Sequence, residues 1–379
     1  MNILNEKVCI LTSVHPAIDV RIFYKEARSL TKVGYEVTLI AQHYKNEIVD
    51  GMKIIALLKP KNRFFRMFFL TRKVYKLALK QKAGVYHFHD PELIPVGLLL
   101  KIFTKAKIIY DVHENVAKAI LSKDWIPKIV RLYISKIFNI FEKTASKKFD
   151  YIIAATTNIK DNFKAHKICQ VIDIKNYPVV DGARAQKIIK ENKKYFEPIY
   201  VGGLSRIRGI KEIVLSSKYI NPKYNVRLKL IGEFSDEEFR NEIKGLDEWS
   251  SVKFLGWLPS KETIEHLLMA DMAIICFWPE PNHVEAMPNK IFEYMAASLP
   301  IVASNFPLWK EIIEGNNCGI CVNPLNPKEI TKAIEYLIEH PEEAKRMGKN
   351  SRRAVLEKYN WEKESEKLLE IYKNILKSK

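Results

Sequence analysis

Thirteen short runs of aliphatic and β-branched residues, apolar almost throughout, constrain this 379-residue chain more than any other feature. The first seven are Val8–Leu11, Val37–Ala41, Ile54–Leu58, Val85–His89, Lys107–Val112, Tyr151–Ala155 and Val171–Ile174. Stretches with helical spacing, such as Ile22–Val33, separate several of them. A strand without a polar face must be covered on both sides. Such strands alternating with helices predict a parallel sheet sandwiched between helical layers. A lysine-rich stretch, Ala185–Lys194, interrupts the rhythm. It restarts at Ile199–Gly202, Arg227–Gly232, Val252–Gly256, Met272–Phe277, Pro300–Ser304 and Gly319–Val322. The expected fold class is α/β, with two doubly wound Rossmann-like parallel-sheet domains facing across a cleft. The expected domains are residues 1–182 and 183–358. A last amphipathic helix within 359–379 is expected to pack back toward the first domain.

Charge separates the two halves. The formal charge is +18, but residues 1–180 hold 31 Lys and Arg against 15 Asp and Glu, and residues 181–379 hold 31 against 29. Ten basic residues and no acid lie between Gly51 and His89. Such a field attracts phosphate, nucleic acid or an anionic membrane. Five scattered cysteines do not make a disulfide scaffold and suit a reducing compartment. Met1–Lys7 is polar and the longest charge-free apolar run lies in Leu93–Leu100, so neither a secretory leader nor a membrane span is expected. The protein is expected in the cytoplasm, peripheral at the inner face of the cell membrane, with an anionic membrane surface as partner of the basic amino-terminal half.

Ligands of open α/β sheets bind beyond the carboxyl ends of the strands, so the strand-to-helix turns should carry function. The most informative is Glu285-Ala-Met-Pro-Asn-Lys-Ile-Phe-Glu293, between the strands Met272–Phe277 and Pro300–Ser304. Pro288 suits the first turn of a helix, where its missing N–H is not needed. The helix start then offers free amides around Ala286–Lys290, including Asn289, to a diphosphate. Glu285 and Glu293 could each accept two hydroxyl hydrogen bonds and grip the two ends of a nucleotide sugar, or both could be solvated surface charges. A second turn, Tyr200-Val-Gly-Gly-Leu-Ser-Arg-Ile-Arg-Gly, offers Arg206 and Arg208 to a leaving diphosphate, as Lys290 does from the other helix. Three consecutive strand ends in the first half gather His and carboxylates: His15, Asp19 and Arg21; His89 and Asp90; Asp111, His113 and Glu114. A metal site is one reading of that gathering. Cys318-Gly-Ile-Cys321 has no second cysteine pair and reads as the start of a strand.

The Glu-x7-Glu segment with Pro-Asn-Lys-Ile-Phe-Glu-Tyr-Met-Ala-Ala resembles the retaining GT-B glycosyltransferases of family 4, the group 1 transferases. The resemblance extends from His15 to Glu293. It is closest to a bacterial branch that makes capsule, O-antigen or cell-wall polysaccharide. It implies a GT-B fold and the retaining transfer of a hexose-type sugar from a nucleotide-diphosphate donor to a glycan or lipid-linked acceptor. No cofactor and no metal are implied, and no Asp-x-Asp pair occurs in the chain. Carried over residue by residue, Glu293 holds the ribose, Glu285 and His113 contact the transferred sugar, and Trp257 and Leu258 cradle the base. Gly203 stands where the family usually has Arg, and Arg208 where it has Lys, which leaves Arg206 to supply the missing charge. Ser298 stands where Gly is usual. The acceptor side comprises His15, Asp19, Arg21, His89, Asp90 and Glu114. A GT-B sugar-nucleotide epimerase and a non-catalytic glycan or nucleic-acid binding protein are the alternatives. An epimerase would convert donor without an acceptor.

Two basic stretches, Lys59–Lys82 and Trp125–Lys148, interleave large apolar residues with Lys and Arg. Arg66, Lys73, Lys76 and Lys80 recur at helical spacing, with Phe64, Phe65, Phe68 and Phe69 on much of the opposite side. Helices lying on an anionic membrane have this composition, and core-packed helices with solvated lysines are the other reading. No reader motif for nucleic acid accompanies the charge, so none is expected as a partner.

Overall fold

The computed structural model describes residues 6–121, 126–165, 170–180 and 194–377. Most of the lysine-rich stretch at 185–194, and Trp125, lie outside them. The chain divides into two compact units, Met1–Asn176 with Trp361–Lys379, and Tyr177–Asn360. The first break falls six residues before the expected one, because the Tyr177 ring packs on Phe292 and Tyr359 of the second unit. The last helix belongs to the first unit from Trp361 onward. The Trp361 indole donates to Ser29, and the Glu364 carboxylate accepts the Lys175 amide.

The first unit holds an eight-stranded sheet of β1 (Lys7–Pro16), β2 (Glu36–Gln42), β3 (Glu47–Val49), β4 (Met52–Leu57), β5 (Val85–Phe88), β6 (Lys107–Val112), β7 (Tyr151–Ala154) and β8 (Val171–Asp173). Its order is β3-β4-β2-β1-β5-β6-β7-β8. All pairs are parallel except β3 with β4. That hairpin is absent from the sequence reading. Its three-residue strand is too short to show alternation, and the signal is the Asp50-Gly51 turn, where both residues take positive φ. A π-helical turn, Ile22–Ala27, runs into α1 (Arg28–Lys32). There follow α2 (Arg63–Phe65), α3 (Thr71–Gln81), α4 (Ile94–Phe103), α5 (Val116–Leu121), α6 (Lys128–Ser146) and α7 (Thr157–Lys164). Apolar residues of α3, α4 and α7, with Phe138 and Ala145 of α6, join one face of the sheet, around Phe88, Tyr110 and Phe149. The Ile22–Ala27 turn, α1 and the terminal helix Trp361–Lys377 cover the other, around Ile10, Leu39 and Ile109.

The second unit holds β9 (Pro198–Val201), β10 (Leu228–Ile231), β11 (Val252–Gly256), β12 (Met272–Ile275), β13 (Ile301–Ser304) and β14 (Gly319–Val322), in the order β11-β10-β9-β12-β13-β14. All of these pairs are parallel. Its helices are α8 (Ile210–Ser216), α9 (Glu237–Lys244), α10 (Ser260–Met269), α11 (Pro281–Val284), α12 (Asn289–Ala296), α13 (Pro307–Ile313), α14 (Pro327–Glu339) and α15 (Pro341–Glu357); with the terminal helix as α16, they complete the described chain. Each fully buried aliphatic or aromatic side chain of the two cores contributes about 1.5–3 kcal/mol of transfer free energy.

Ser298, one residue beyond the C-cap of α12, sits at φ 59° in the left-handed region. A side chain there costs about 1–2 kcal/mol that glycine avoids, partly offset by the freedom glycine adds to the unfolded chain. Ser298→Gly is therefore expected to stabilise the second unit by up to about 1 kcal/mol. A thermal melt of the variant with no upward shift would contradict this.

Candidate functional site

Both sheets reverse strand order beside a loop singled out from the sequence. In the second unit the reversal lies between β9 and β12. β9 ends at Gly202-Gly203, and α12 is tied to it through the Tyr294 hydroxyl, which accepts the Val201 amide at 2.9 Å. Pro288 occupies the position before α12 rather than its first turn, leaving Asn289 and Lys290 as the first helical residues. Lys290 crosses the face of Gly202 so closely that a Cβ there would lie 2.3 Å from its Cε. Glycine is required at 202 for that approach. Burial lowers the Lys290 pKa, Glu293 opposes the shift and Arg208 adds to it, so the two cations and the Glu293 carboxylate share one neighbourhood.

The arginine turn is set by Gly209, at φ 69°, whose absent Cβ would fall 1.8 Å from the Cys276 carbonyl oxygen at the end of β12. The Trp278 amide donates to Ile207 O at 2.9 Å, fixing the same turn. Arg208 then lies with its guanidinium over the Phe277 ring and 3.6 Å from where a Gly203 Cβ would be. Of the two arginines expected at the diphosphate, Arg208 is the one beside Gly203. Arg206 stacks on Phe239 and donates through Nη1 and Nη2 to Glu242, at 3.1 and 2.5 Å. Lys211 shares that carboxylate at 2.7 Å, and Arg206 and then Lys211 draw the Glu242 pKa down to about 2. Glu285 is exposed at the end of α11, and Trp257 is 67 % exposed beyond β11, so it is not a core aromatic. Leu258 packs partly against the core. Cys318 and Cys321 are free thiols raised by burial to about 11 and about 12, which removes the thiolate that redox chemistry needs.

In the first unit the reversal lies between β1 and β5. Asp90, expected on the acceptor side, is buried. Its Oδ2 accepts the Thr12 hydroxyl at 2.8 Å, the Ser13 amide and hydroxyl at 2.5 and 3.1 Å, and the Val14 amide at 3.2 Å. It shapes the loop that carries His15. Arg21 is also buried. It reaches both Asp111 oxygens at 2.9–3.2 Å, Ile174 O at 3.0 Å and Glu26 Oε1 at 2.9 Å. His89 has no exposed side-chain surface, and its Nδ1 meets His113 Nε2 at 3.1 Å. These three residues correct the expected acceptor side, because all three are buried with protein groups as partners. His15, Asp19, His113 and Glu114 keep solvent access. His15 and His113 have ring centroids 5.4 Å apart. The Asp19 carboxylate, 3.7 Å from His15 Nδ1, raises the His15 pKa. Burial would raise Asp19, but His15 and the Ile22 and Arg21 amides bring it down to about 2.

Beneath this rim lies a network of which sequence reasoning named His89 and Asp111 and missed Glu26 and His87. Glu26, His87, His89 and Asp111 bring ligand-type atoms within 4.8 Å of one another, all buried. His87 Nδ1 meets the Tyr372 hydroxyl at 3.0 Å. His87 and His89 lie two apart on one strand, so period-two alternation already put them on one face. Glu26 had no such signal, being one acid within an amphipathic helical pattern. Burial and the adjacent Asp111 raise the Glu26 pKa well above the ordinary carboxylate value. Burial would raise Asp111 too, but Arg21 and then His113 keep it well below. Burial lowers both His87 and His89, which are therefore neutral.

Comparison with known proteins bears on both units. Residues 181–354 match the model of the glycosyl transferases group 1, and residues 20–173 match that of glycosyltransferase family 4. The chain is 24 % identical over 401 aligned positions to the capsular polysaccharide biosynthesis glycosyltransferase CapM of Staphylococcus aureus, covering 98 % of each. It is 28 % identical over 228 residues to spore coat protein SA of Bacillus subtilis, a stretch spanning 55 % of this chain and 58 % of that protein. In structure it is similar to HepE of Anabaena, solved with UDP-glucose. The TM-score is 0.69 at 14 % identity, covering 97 % of this chain and 99 % of that one.

Proposed function

The chain belongs to the group 1 glycosyltransferases of family 4 and has their α/β GT-B fold, and from that premise we propose a retaining, metal-independent hexosyltransferase of cell-surface polysaccharide synthesis. Its donor is a nucleotide-diphosphate sugar, and its acceptor a glycan or lipid-linked glycan held at the cytoplasmic face of an anionic membrane. The observation that carries the reading is the meeting of Lys290, Arg208 and Glu293 around Gly202-Gly203 at the start of α12. Two cations and the free amides of a helix start neutralise a leaving diphosphate, whose charge grows as the glycosidic bond breaks. Glu293 holds the ribose, and Trp257 and Leu258 the base. Glu285 and His113 orient the sugar. The acceptor hydroxyl attacks on the face the diphosphate leaves, and a departing phosphate oxygen takes its proton. The complex of HepE with UDP-glucose supports a donor of this class.

A panel of nucleotide sugars tested by thermal shift identifies the donor, since a ligand at a hundred times its Kd adds about 2.7 kcal/mol. With that donor, Glu293→Ala is expected to weaken binding about 10- to 150-fold, the worth of hydrogen bonds to a charged group. Unchanged binding would remove the donor-site assignment. Transfer is expected to persist in a chelator of divalent ions.

A further inference from the structure

Helix α6 is amphipathic in the reverse sense. Its buried side chains are Ser135, Glu142, Lys143, Ala145 and Ser146. Glu142 is held inside by the Tyr110 hydroxyl at 2.9 Å. Lys143, one of the lysines expected in solvent, is buried too. It donates to Asn162 O at 2.9 Å and lies 4.2 Å from the Phe163 ring centroid, and burial lowers its pKa to about 8. The outward face is apolar: Ile129 is 70 % exposed, Leu132 55 %, Tyr133 66 % and Ile137 66 %. A helix turned this way loses apolar burial along most of its length unless something covers it.

The same helical layer repeats the pattern. α4 packs against both α3 and α6, and its last residues, Ile102 and Phe103, are 71 % and 67 % exposed. Phe64, Phe65, Phe68 and Phe69, expected on an apolar side, are all exposed, so the segment is not an ordinary core-packed helix. Exposed lysines border the apolar face of α6, including Lys128, Lys136, Lys147 and Lys148, whereas its only acid, Glu142, points inward.

We propose that α6, with the exposed ends of α2 to α4, inserts its apolar face into the acyl boundary of an anionic phospholipid bilayer. The inference deepens the membrane-face reading above and rests on it. It adds a hydrophobic anchor to a charge attraction. Charge selects the occupant. A second copy of this chain would set the same lysines against one another across a two-fold contact, whereas anionic headgroups complement them. No helix among the described residues is long and apolar enough to cross a membrane, so α6 lies in the interface plane.

The test is vesicle sedimentation of the full chain with 3:1 phosphatidylcholine–phosphatidylglycerol and with phosphatidylcholine alone, at 50 mM and 500 mM salt (concentrations of about these values keep and remove most electrostatic attraction). The wild type is expected to bind the anionic vesicles, and to retain part of that binding at high salt. The triple variant Leu132→Ser, Ile137→Ser, Phe141→Ser is expected to partition about tenfold or more weakly at both salts, because the lost contact is apolar. An unchanged thermal shift with donor verifies that it is folded. No binding at low salt would remove the membrane reading itself. Binding at low salt that vanishes at high salt, or that the triple variant leaves intact, would leave that reading standing and overturn insertion. A stable dimer that the triple variant dissociates would also overturn it.

Discussion

The double variant Glu26→Gln, Asp111→Asn is expected to cost the amino-terminal unit about 3–5 kcal/mol, more than the two single variants together. The excess follows from how the buried charge is balanced. Arg21 is buried and cannot lose its proton, so some carboxylate must face it. In the native network Asp111 does so, through both oxygens. Burial and the Asp111 charge both disfavour the ionised form of Glu26. Asp111→Asn removes that repulsion. Glu26, already 2.9 Å from Arg21 Nε, then ionises and takes over the pairing, so this single variant is expected to be mild at neutral pH. Glu26→Gln alone leaves Asp111 paired with Arg21 and is expected to be milder still. Only the double variant strands the guanidinium. Hydrogen exchange of the β5 and β6 amides in the full chain reads this unit separately from the other, and additive costs would refute the account. The pH dependence has a definite sign. Because the Asp111 pKa is lowered in the fold, its contribution is present above its unfolded value near 3.8 and is lost as the pH falls through the folded one.

This network also marks where the sequence stops being legible. Every described strand but β3 was readable because each is a run apolar almost throughout, and the reversal of strand order placed the two candidate sites at predictable ends. Which polar residues line the surface and which support it was not readable. Arg21, His89 and Asp90 look like site residues in a linear string, since each follows or ends a strand. Their partners are Asp111, His113 and the Thr12–Val14 loop, which are remote in sequence, and only the fold decides that these groups satisfy one another inside. The basic helices show the converse. Composition places Lys143 with its neighbours in solvent, but the Phe163 ring and the Asn162 carbonyl hold it inside. Unit boundaries slipped by a few residues for a similar reason. Tyr177 carries no linker signature, and its ring happens to complete an aromatic cluster with Phe292 and Tyr359.

Arg208→Ala is expected to lower kcat and kcat/KM for sugar transfer about 10²- to 10³-fold, the usual cost of one group that stabilises developing charge. Arg206→Ala is expected to change both by less than about threefold, since an exposed pair such as Arg206–Glu242 is worth little and points elsewhere. The contrast is sharp because the two arginines are two residues apart and composition cannot tell them apart. Gly209 separates their fates by turning the chain against the Cys276 carbonyl, so that Arg208 falls beside Gly203 while Arg206 falls on α9. The space at Gly203 supplies a stricter test. A Cβ there would meet the Arg208 guanidinium at 3.6 Å, an ordinary contact, and Gly203 does not take a positive φ. An arginine can therefore be built at 203. In Gly203→Arg, Arg208→Lys the two cations are redistributed to the positions usual in the family, and most of the lost rate is expected to return. Arg208→Lys alone should remain impaired, because an ammonium cannot make the paired hydrogen bonds of a guanidinium. If Arg206→Ala is the more damaging variant, or if the redistributed pair gives no recovery, the charge at the diphosphate comes from somewhere other than Arg208.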